Sequence, residues 1–224
     1  MAIETMTLKA LLLDFFGTLA RVRDEEAYLE DVSRGLARAL GVDGEKALKY
    51  FLEARRLANA IREASNAEIP VDGQAALIAA LAGGRPDEVR KVLVESMLKH
   101  LEPVEHAPEF LHWAKGRFKL AIVSNTTCRC YIEEVLKKVG GAVDVIVTSD
   151  VVRYRKPHRL IFKIALRRLG VAPSETIMVG DDDVDLGARA LGILTVIVGG
   201  RVAGDLNFRD LEELRRWLEE RAEP

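Results

Sequence analysis

Four polar turns, far apart along the chain, carry the side chains able to do covalent chemistry. Asp14 ends the apolar run Lys9-Ala10-Leu11-Leu12-Leu13 and opens the turn Asp14-Phe15-Phe16-Gly17-Thr18-Leu19. A carboxylate at the carboxyl end of a buried strand, followed by a glycine turn, stands where open α/β sheets bind ligands. The plainer role for such an aspartate is to cap a turn or helix. Ser124-Asn125-Thr126 follows the run Phe118 to Val123. A hydroxyl and free amides there suit an anionic oxygen near a helix N-terminus as well as they suit an ordinary N-cap. In Tyr154-Arg155-Lys156-Pro157-His158, Pro157 fits the first turn of a following helix. A lysine held beside carboxylates offsets their repulsion and stabilises charge that grows in a transition state. With Arg153, Arg155 and Arg159 nearby, a solvated basic loop explains the same residues.

The sharpest of the later turns is Gly180-Asp181-Asp182-Asp183-Val184-Asp185. Carboxylates crowded at a strand end repel one another unless a lysine or a cation compensates them. Hard oxygens on one or two carboxylates, completed by waters and substrate oxygens, describe magnesium. An acidic N-cap favoured by the helix dipole accounts for Asp182 or Asp183.

The elements that must position these turns are legible as periodicity. After residue 105, apolar β-rich runs recur at Phe118 to Val123, Val143 to Val147, Thr176 to Val179 and Ile193 to Val198, which read as strands buried on both faces. Segments of helical period lie between them near 127–139, 158–169 and 184–191, with Gly140, Gly170 and Gly192 where helices would stop. Strand alternating with helix predicts an α/β fold with a doubly wound parallel sheet. Leu206 to Arg221 reads as a closing amphipathic helix.

Residues 21–103 instead read as about four helices, broken near Gly41 to Gly44, Pro70 to Gly73 and Gly83 to Pro86. The expected division is a core of residues 1–20 and 104–224 with an all-helical insert of residues 21–103. Its ends lie near Asp14, which suits a lid over a site; a fixed helical unit is the simpler alternative.

Composition narrows the function. A hydrophobic fraction of 49% and a charged fraction of 30% over 224 residues argue for a folded globular chain with a sizeable core. Lys+Arg 33 against Asp+Glu 35 gives no basic field for nucleic acid. No apolar stretch reaches the ~20 residues of a membrane span, and Met1 to Leu19 lacks a signal-peptide pattern. Cys128 and Cys130 are one residue apart, a spacing that strains a disulfide and is too sparse for zinc. Unpaired thiols in a cytoplasmic protein are therefore expected, with a small molecule rather than a nucleic acid or a membrane as partner.

In order, spacing and strand context, the four turns, with Val147-Thr148-Ser149-Asp150-Val151 leading to Lys156-Pro157, resemble the motifs of the haloacid dehalogenase-like hydrolases. The resemblance covers Leu8 to Leu19 and roughly Leu120 to Val198, and the helical insert is similar to that family's cap by position. It implies Asp14 as covalent nucleophile, Ser124, Asn125 and Thr18 as binders of the transferred group, and Lys156 as electrostatic stabiliser. It also implies a Mg2+ site of Asp14, Asp181, Asp185 and the backbone carbonyl of Phe16.

Phe16 departs from the pattern of the family's phosphatases, which place there a second aspartate that protonates the leaving group and then activates water. Dehalogenases of the family have an aromatic residue there and need no metal, yet their acidic loop carries a serine-serine-asparagine run where this chain reads Gly180-Asp181-Asp182. Three functions follow: a magnesium-dependent phosphohydrolase, which Asp181 and Asp185 favour; a metal-independent 2-haloacid dehalogenase, which Phe16 favours; and a catalytically weak binding or regulatory protein. Relatives that form an imine through a cap lysine would need Lys46 or Lys49, which read more simply as surface residues. Arg21 and Arg23 could pair with a substrate anion, although solvated arginines are the simpler reading.

Overall fold

A computed structural model describes residues 7–200 and 202–221. The remaining ends of the expected core, residues 1–6 and 222–224, lie outside the described residues. Six strands form one sheet in the order β5-β4-β1-β6-β7-β8, and every neighbouring pair is parallel. The strands are β1 (Ala10–Leu13), β4 (Lys119–Ser124), β5 (Val145–Thr148), β6 (Thr176–Gly180), β7 (Leu194–Val198) and β8 (Leu206–Phe208).

Alternation along the strands builds two cores. Leu11, Leu13, Leu120, Ile122, Ile177 and Val179 face one side with Phe15 and Ile132, whereas Leu12, Ala121, Val123 and Met178 face the other with Ile161, Phe162 and Ala165. This period-two split explains why the strands read as continuous apolar runs: both faces are covered by helices. Leu12 is fully buried, so Leu12→Ala is expected to cost about 2–5 kcal/mol.

On the first face lie α5 (Ala107–Ala114), α6 (Arg129–Val139) and α9 (Leu211–Glu219); on the second lies α8 (Arg159–Leu169), with the short α7 (Ser149–Val152) leading towards it. From β1 the chain runs out to β4 and β5 and then returns to β6 on the opposite side of β1. Strand order reverses at β1, so the carboxyl ends of β1, β4 and β6 frame the crevice where such sheets bind ligands.

The residues between β1 and β4 form α1 (Glu25–Leu40), α2 (Gly44–Ser65), α3 (Val71–Ala82) and α4 (Pro86–His100). Asp24 and Asp43 cap the first two through hydrogen bonds from the amides of Ala27 and Lys46, and Gly41, Asn66 and Gly83 end helices in the left-handed region. α1 packs on α2 and α4, and α3 packs on α4.

Several details differ from the sequence reading. A two-stranded antiparallel ribbon, β2 (Ala20–Val22) with β3 (Leu101–Pro103), links the helical insert to the sheet; each strand is three residues, too short for a periodic signal. Leu206 to Arg221 splits into β8 and α9, because Leu206–Phe208 pairs with β7 before Asp210 caps the helix. The segment Asp183–Leu191 is a 3-10 helix, with Gly187 pressed so closely on Pro157 that a Cβ would lie 2.6 Å from it. Pro157 precedes α8, whose N-cap is His158.

The expectation of unpaired thiols is corrected: Cys128 and Cys130 are joined in a disulfide. Their Cα atoms lie 5.1 Å apart at the start of α6, inside the usual range for a bridge. Among the described residues, no helix is long and apolar enough to cross a membrane.

Candidate active site

The four polar turns converge at the carboxyl ends of the central strands. Asp14 leaves β1 with its amide donating to the carbonyl of Val179 at 2.8 Å. Its carboxylate accepts from the Lys156 ammonium at 2.6 Å, and Asp185 accepts from the same ammonium at 2.6 Å. Carboxylate oxygens of Asp14, Asp181 and Asp185 all lie within 4.8 Å of one another. Asp14, Lys156 and Asp185 are buried, and Asp181 is partly exposed at the mouth.

Two glycines make room for this crowding. A Cβ on Gly17, whose φ is +90°, would lie 2.0 Å from an Asp181 oxygen, and one on Gly180 would lie 2.0 Å from an Asp185 oxygen. Gly17 thus meets two demands at once, a left-handed turn and a close carboxylate.

If all four groups are ionised, three carboxylates face one ammonium and two negative charges remain unbalanced in a buried site. Burial pushes the Asp14 carboxyl up, with Lys156 opposing in part. Burial and then the Asp185 charge push Asp181 up. Asp185 is pushed up to about 6 by burial, against the pull of Lys156. Burial works against the Lys156 charge, but Asp14 and Asp185 outweigh it and hold its pKa above the ordinary lysine value. Burial thus raises the three acids, and the two carboxylates on the ammonium raise the base.

A hard divalent cation would relieve that excess, and this all-oxygen donor set fits magnesium. The donors are unequal. Asp185 gives one oxygen to Lys156 and receives the amides of Asp181 and Asp182 on the other at 3.2 and 3.3 Å. Asp181 is oriented by the Thr18 hydroxyl at 3.2 Å and is the carboxylate nearest solvent.

The other expected residues sit at the same crevice with different partners. Thr18, expected to bind the transferred group, donates to Asp181 at 3.2 Å. Asn125 clamps the peptide of Lys156, its carbonyl oxygen accepting from the Lys156 amide at 2.7 Å and its NH2 donating to the Lys156 carbonyl at 3.0 Å. Ser124 is fully buried and its hydroxyl has no hydrogen-bond partner. Phe16 packs edge-on against Phe15, with ring centroids 5.0 Å apart.

Phe16 also lines a cavity of about 250 Å³ beneath the insert, with Tyr28, Phe51, Arg55, Met97 and Tyr131 among its walls. The cavity residues from α1, α2 and α4 went unread in the sequence, because helical period marks a buried face without saying what it faces. Lys46 and Lys49 are exposed and do not line this cavity. Arg21 pairs with Glu102 across the β2–β3 ribbon at 3.0 Å.

The profile of haloacid dehalogenase-like hydrolases matches residues 8–191, and the chain belongs to that family. It is 33% identical over 93 residues to a glyceraldehyde 3-phosphate phosphatase of Methanothermobacter thermautotrophicus, a match that spans 40% of this chain and 40% of that relative's length. The crystal structure of a phosphatase of the family from Thermococcus onnurineus superposes with a TM-score of 0.68 at 29% identity, covering 94% of this chain and 98% of the other. An L-2-haloacid dehalogenase from Xanthobacter autotrophicus gives a TM-score of 0.64 at 20% identity over 95% of this chain and 98% of its own, a likeness of fold alone.

Proposed function

We propose that this chain is a magnesium-dependent phosphohydrolase that cleaves a small phosphorylated metabolite through an aspartyl phosphate on Asp14. The observation that carries this reading is the excess of carboxylate over ammonium at Asp14, Asp181, Asp185 and Lys156, a site that calls for both a cation and an anionic substrate to complete it. The phosphatase named among the relatives supports the same direction.

Lys156 holds one oxygen of Asp14, leaving the other oxygen to attack phosphorus while the bond to the leaving oxygen breaks. The ammonium stays charged and compensates the anionic phosphoryl group as it transfers. The Ser124 hydroxyl, buried without a partner, is a donor available to a phosphoryl oxygen. Magnesium, held by Asp181 and Asp14 with Asp185 and the Phe16 carbonyl in support, would supply electrostatic stabilisation of the transferring group. Asn125 keeps Lys156 in reach by holding its peptide, and Thr18 keeps Asp181 turned towards the mouth. The four insert helices act as the cap over this site.

Phe16 sets the substrate class within this reading. No proton donor stands two residues beyond Asp14, and general acid catalysis contributes roughly 10²–10⁴-fold. Leaving groups that depart as stable anions, such as the carboxylate of an acyl phosphate, lose least in forming the aspartyl phosphate; water then attacks its phosphorus, the bond to Asp14 breaks and inorganic phosphate leaves, a step common to every substrate. A cavity of about 250 Å³ limits the rest of the substrate to a small body.

Phosphate release should be measured with magnesium and with chelator, over acyl phosphates, aryl phosphates of graded leaving-group acidity and alkyl phosphates. The expected result is magnesium-dependent release whose kcat/KM falls steeply from acyl to alkyl phosphates; absence of release from the whole panel would overturn it. Phe16 also supports a second reading, dehalogenation through an ester on Asp14. Chloride release from 2-chloropropionate in chelator would favour that reading over the first.

A further inference from the structure

The turn between α2 and α3, Asn66-Ala67-Glu68-Ile69-Pro70, lies against the loop that carries Lys156. Ala67 and Tyr154 form an antiparallel bridge. The Arg155 amide donates to the Asn66 carbonyl at 3.1 Å, and the Glu68 amide donates to the Arg153 carbonyl at 3.2 Å.

At the centre is the Glu68 carboxylate, wholly enclosed with 0% of its side chain exposed. One oxygen accepts from Arg62 Nε at 2.9 Å, with Arg62 Nη2 in ion-pair contact at 2.8 Å, and from the Ile69 amide at 3.0 Å. The other accepts from the Ser149 hydroxyl at 2.7 Å and from the Arg155 guanidinium. Ser149 in turn receives the Thr126 amide at 2.9 Å, one residue beyond the Asn125 that clamps Lys156.

We propose that Glu68 is a positioning residue for Lys156: a carboxylate of the helical insert fixes, through Arg155 and Ser149, both core loops that aim the ammonium at Asp14 and Asp185. The proposal rests on the phosphohydrolase reading only for what Lys156 does once aimed. Lys156 is gripped from one side by Asn125, and its neighbour Arg155 is gripped from the other by Asn66 and Glu68. A displacement near 1 Å at a reacting group costs on the order of 10²-fold in rate, so loosening one grip should be visible in turnover. Movement of the insert that separated this turn from the core would strip a buried carboxylate of partners, so the turn stays docked while the cap admits substrate.

The test compares wild type with Glu68→Gln and, in case that variant folds poorly, with Arg155→Met, which leaves Glu68 its Arg62 partner. Turnover on an acyl phosphate should fall at least about tenfold in each folded variant with KM changed less than about twofold. A brace without a positioning role would lower the unfolding temperature and leave that split unmoved.

A second readout does not depend on activity. Lys156 acetylation by acetic anhydride, followed by peptide mass spectrometry with exposed Lys163 as internal standard, should rise at least about tenfold over wild type as the buried ammonium is released. If wild type releases no phosphate, the function reading fails and the labelling still decides the positioning role. Turnover within about twofold of an active wild type, or unchanged Lys156 labelling in both folded variants, would overturn the proposal.

Discussion

Two buried clusters of charge lie one on each side of the Arg155-Lys156 peptide, and they are built to opposite rules. Around Lys156, three carboxylates share one ammonium. Around Glu68, one carboxylate is shared by two guanidinium groups, a hydroxyl and a backbone amide. The second cluster meets every oxygen it buries, the condition under which an enclosed ion pair holds a structure in register. The first leaves negative charge in excess and an unpartnered serine hydroxyl at its edge. The contrast teaches that a candidate binding site is told from a structural ion pair by unmet polar atoms and uncompensated carboxylates together: the Glu68 carboxylate has every oxygen met, whereas the other cluster has neither its charge nor its serine hydroxyl met.

The largest expected effect breaks the deficient cluster at its centre. Asp14→Asn keeps the shape and removes the carboxylate proposed to attack, so turnover should fall by at least about 10³-fold with little change in unfolding temperature. Lys156→Met leaves the carboxylates uncompensated, and denaturant unfolding at pH 7 should show a loss of roughly 3–5 kcal/mol. Magnesium should restore part of that loss, whereas a fully balanced cluster would not respond. Asp181→Asn removes the carboxylate nearest solvent and should raise the magnesium concentration for half-maximal activity at least about tenfold.

The pH dependence sharpens the same contrast. Asp185 titrates near 6 in the folded chain against an ordinary value of 3.8, so between these values the folded state binds the proton and the unfolded state has released it. Stability in chelator should therefore fall as pH rises from about 4 through 6, by on the order of 2 kcal/mol, and magnesium should flatten the curve. Unfolding at pH 4.5, 6 and 7.5, with and without the metal, measures both.

The smallest effect lies inside the insert. Hydrogen bonds from Lys99 and His100 hold Asp31 at about 2, below its ordinary range, joining α1 to α4. That contribution is present above pH 4 and lost as pH falls towards 2, and Asp31→Asn should remove the dependence. Acid unfolding of the two proteins compares them.

The two clusters also differ in how far the amino-acid sequence reveals them. Asp14, Ser124 and Asp181 each stand at or just after the end of an apolar run, and Lys156 follows the next strand beyond the short α7, so one periodic signal located the sheet and most of the candidate site together. Glu68 follows a helix end in a short polar turn, and its partners Ser149 and Arg155 lie more than eighty residues on. Nothing local marks such an alliance; Arg155 read equally well as a solvated surface arginine. The four insert helices were legible from their breaks at Gly41, Pro70 and Gly83, but not which of their faces meets Phe16. The β2–β3 ribbon and β8 were missed because three-residue strands carry too few alternations to register. The disulfide was missed because helix onset at Arg129 brings the two Cα atoms closer than the spacing alone suggests.

Rapid acid quench during turnover of an acyl phosphate with magnesium, followed by peptide mass spectrometry, tests most directly whether Asp14 takes the phosphoryl group. The account predicts one phosphoryl adduct on the peptide containing Asp14, present in wild type during turnover and absent from Asp14→Asn. Turnover that continues undiminished in Asp14→Asn, or an adduct on another residue, would contradict it.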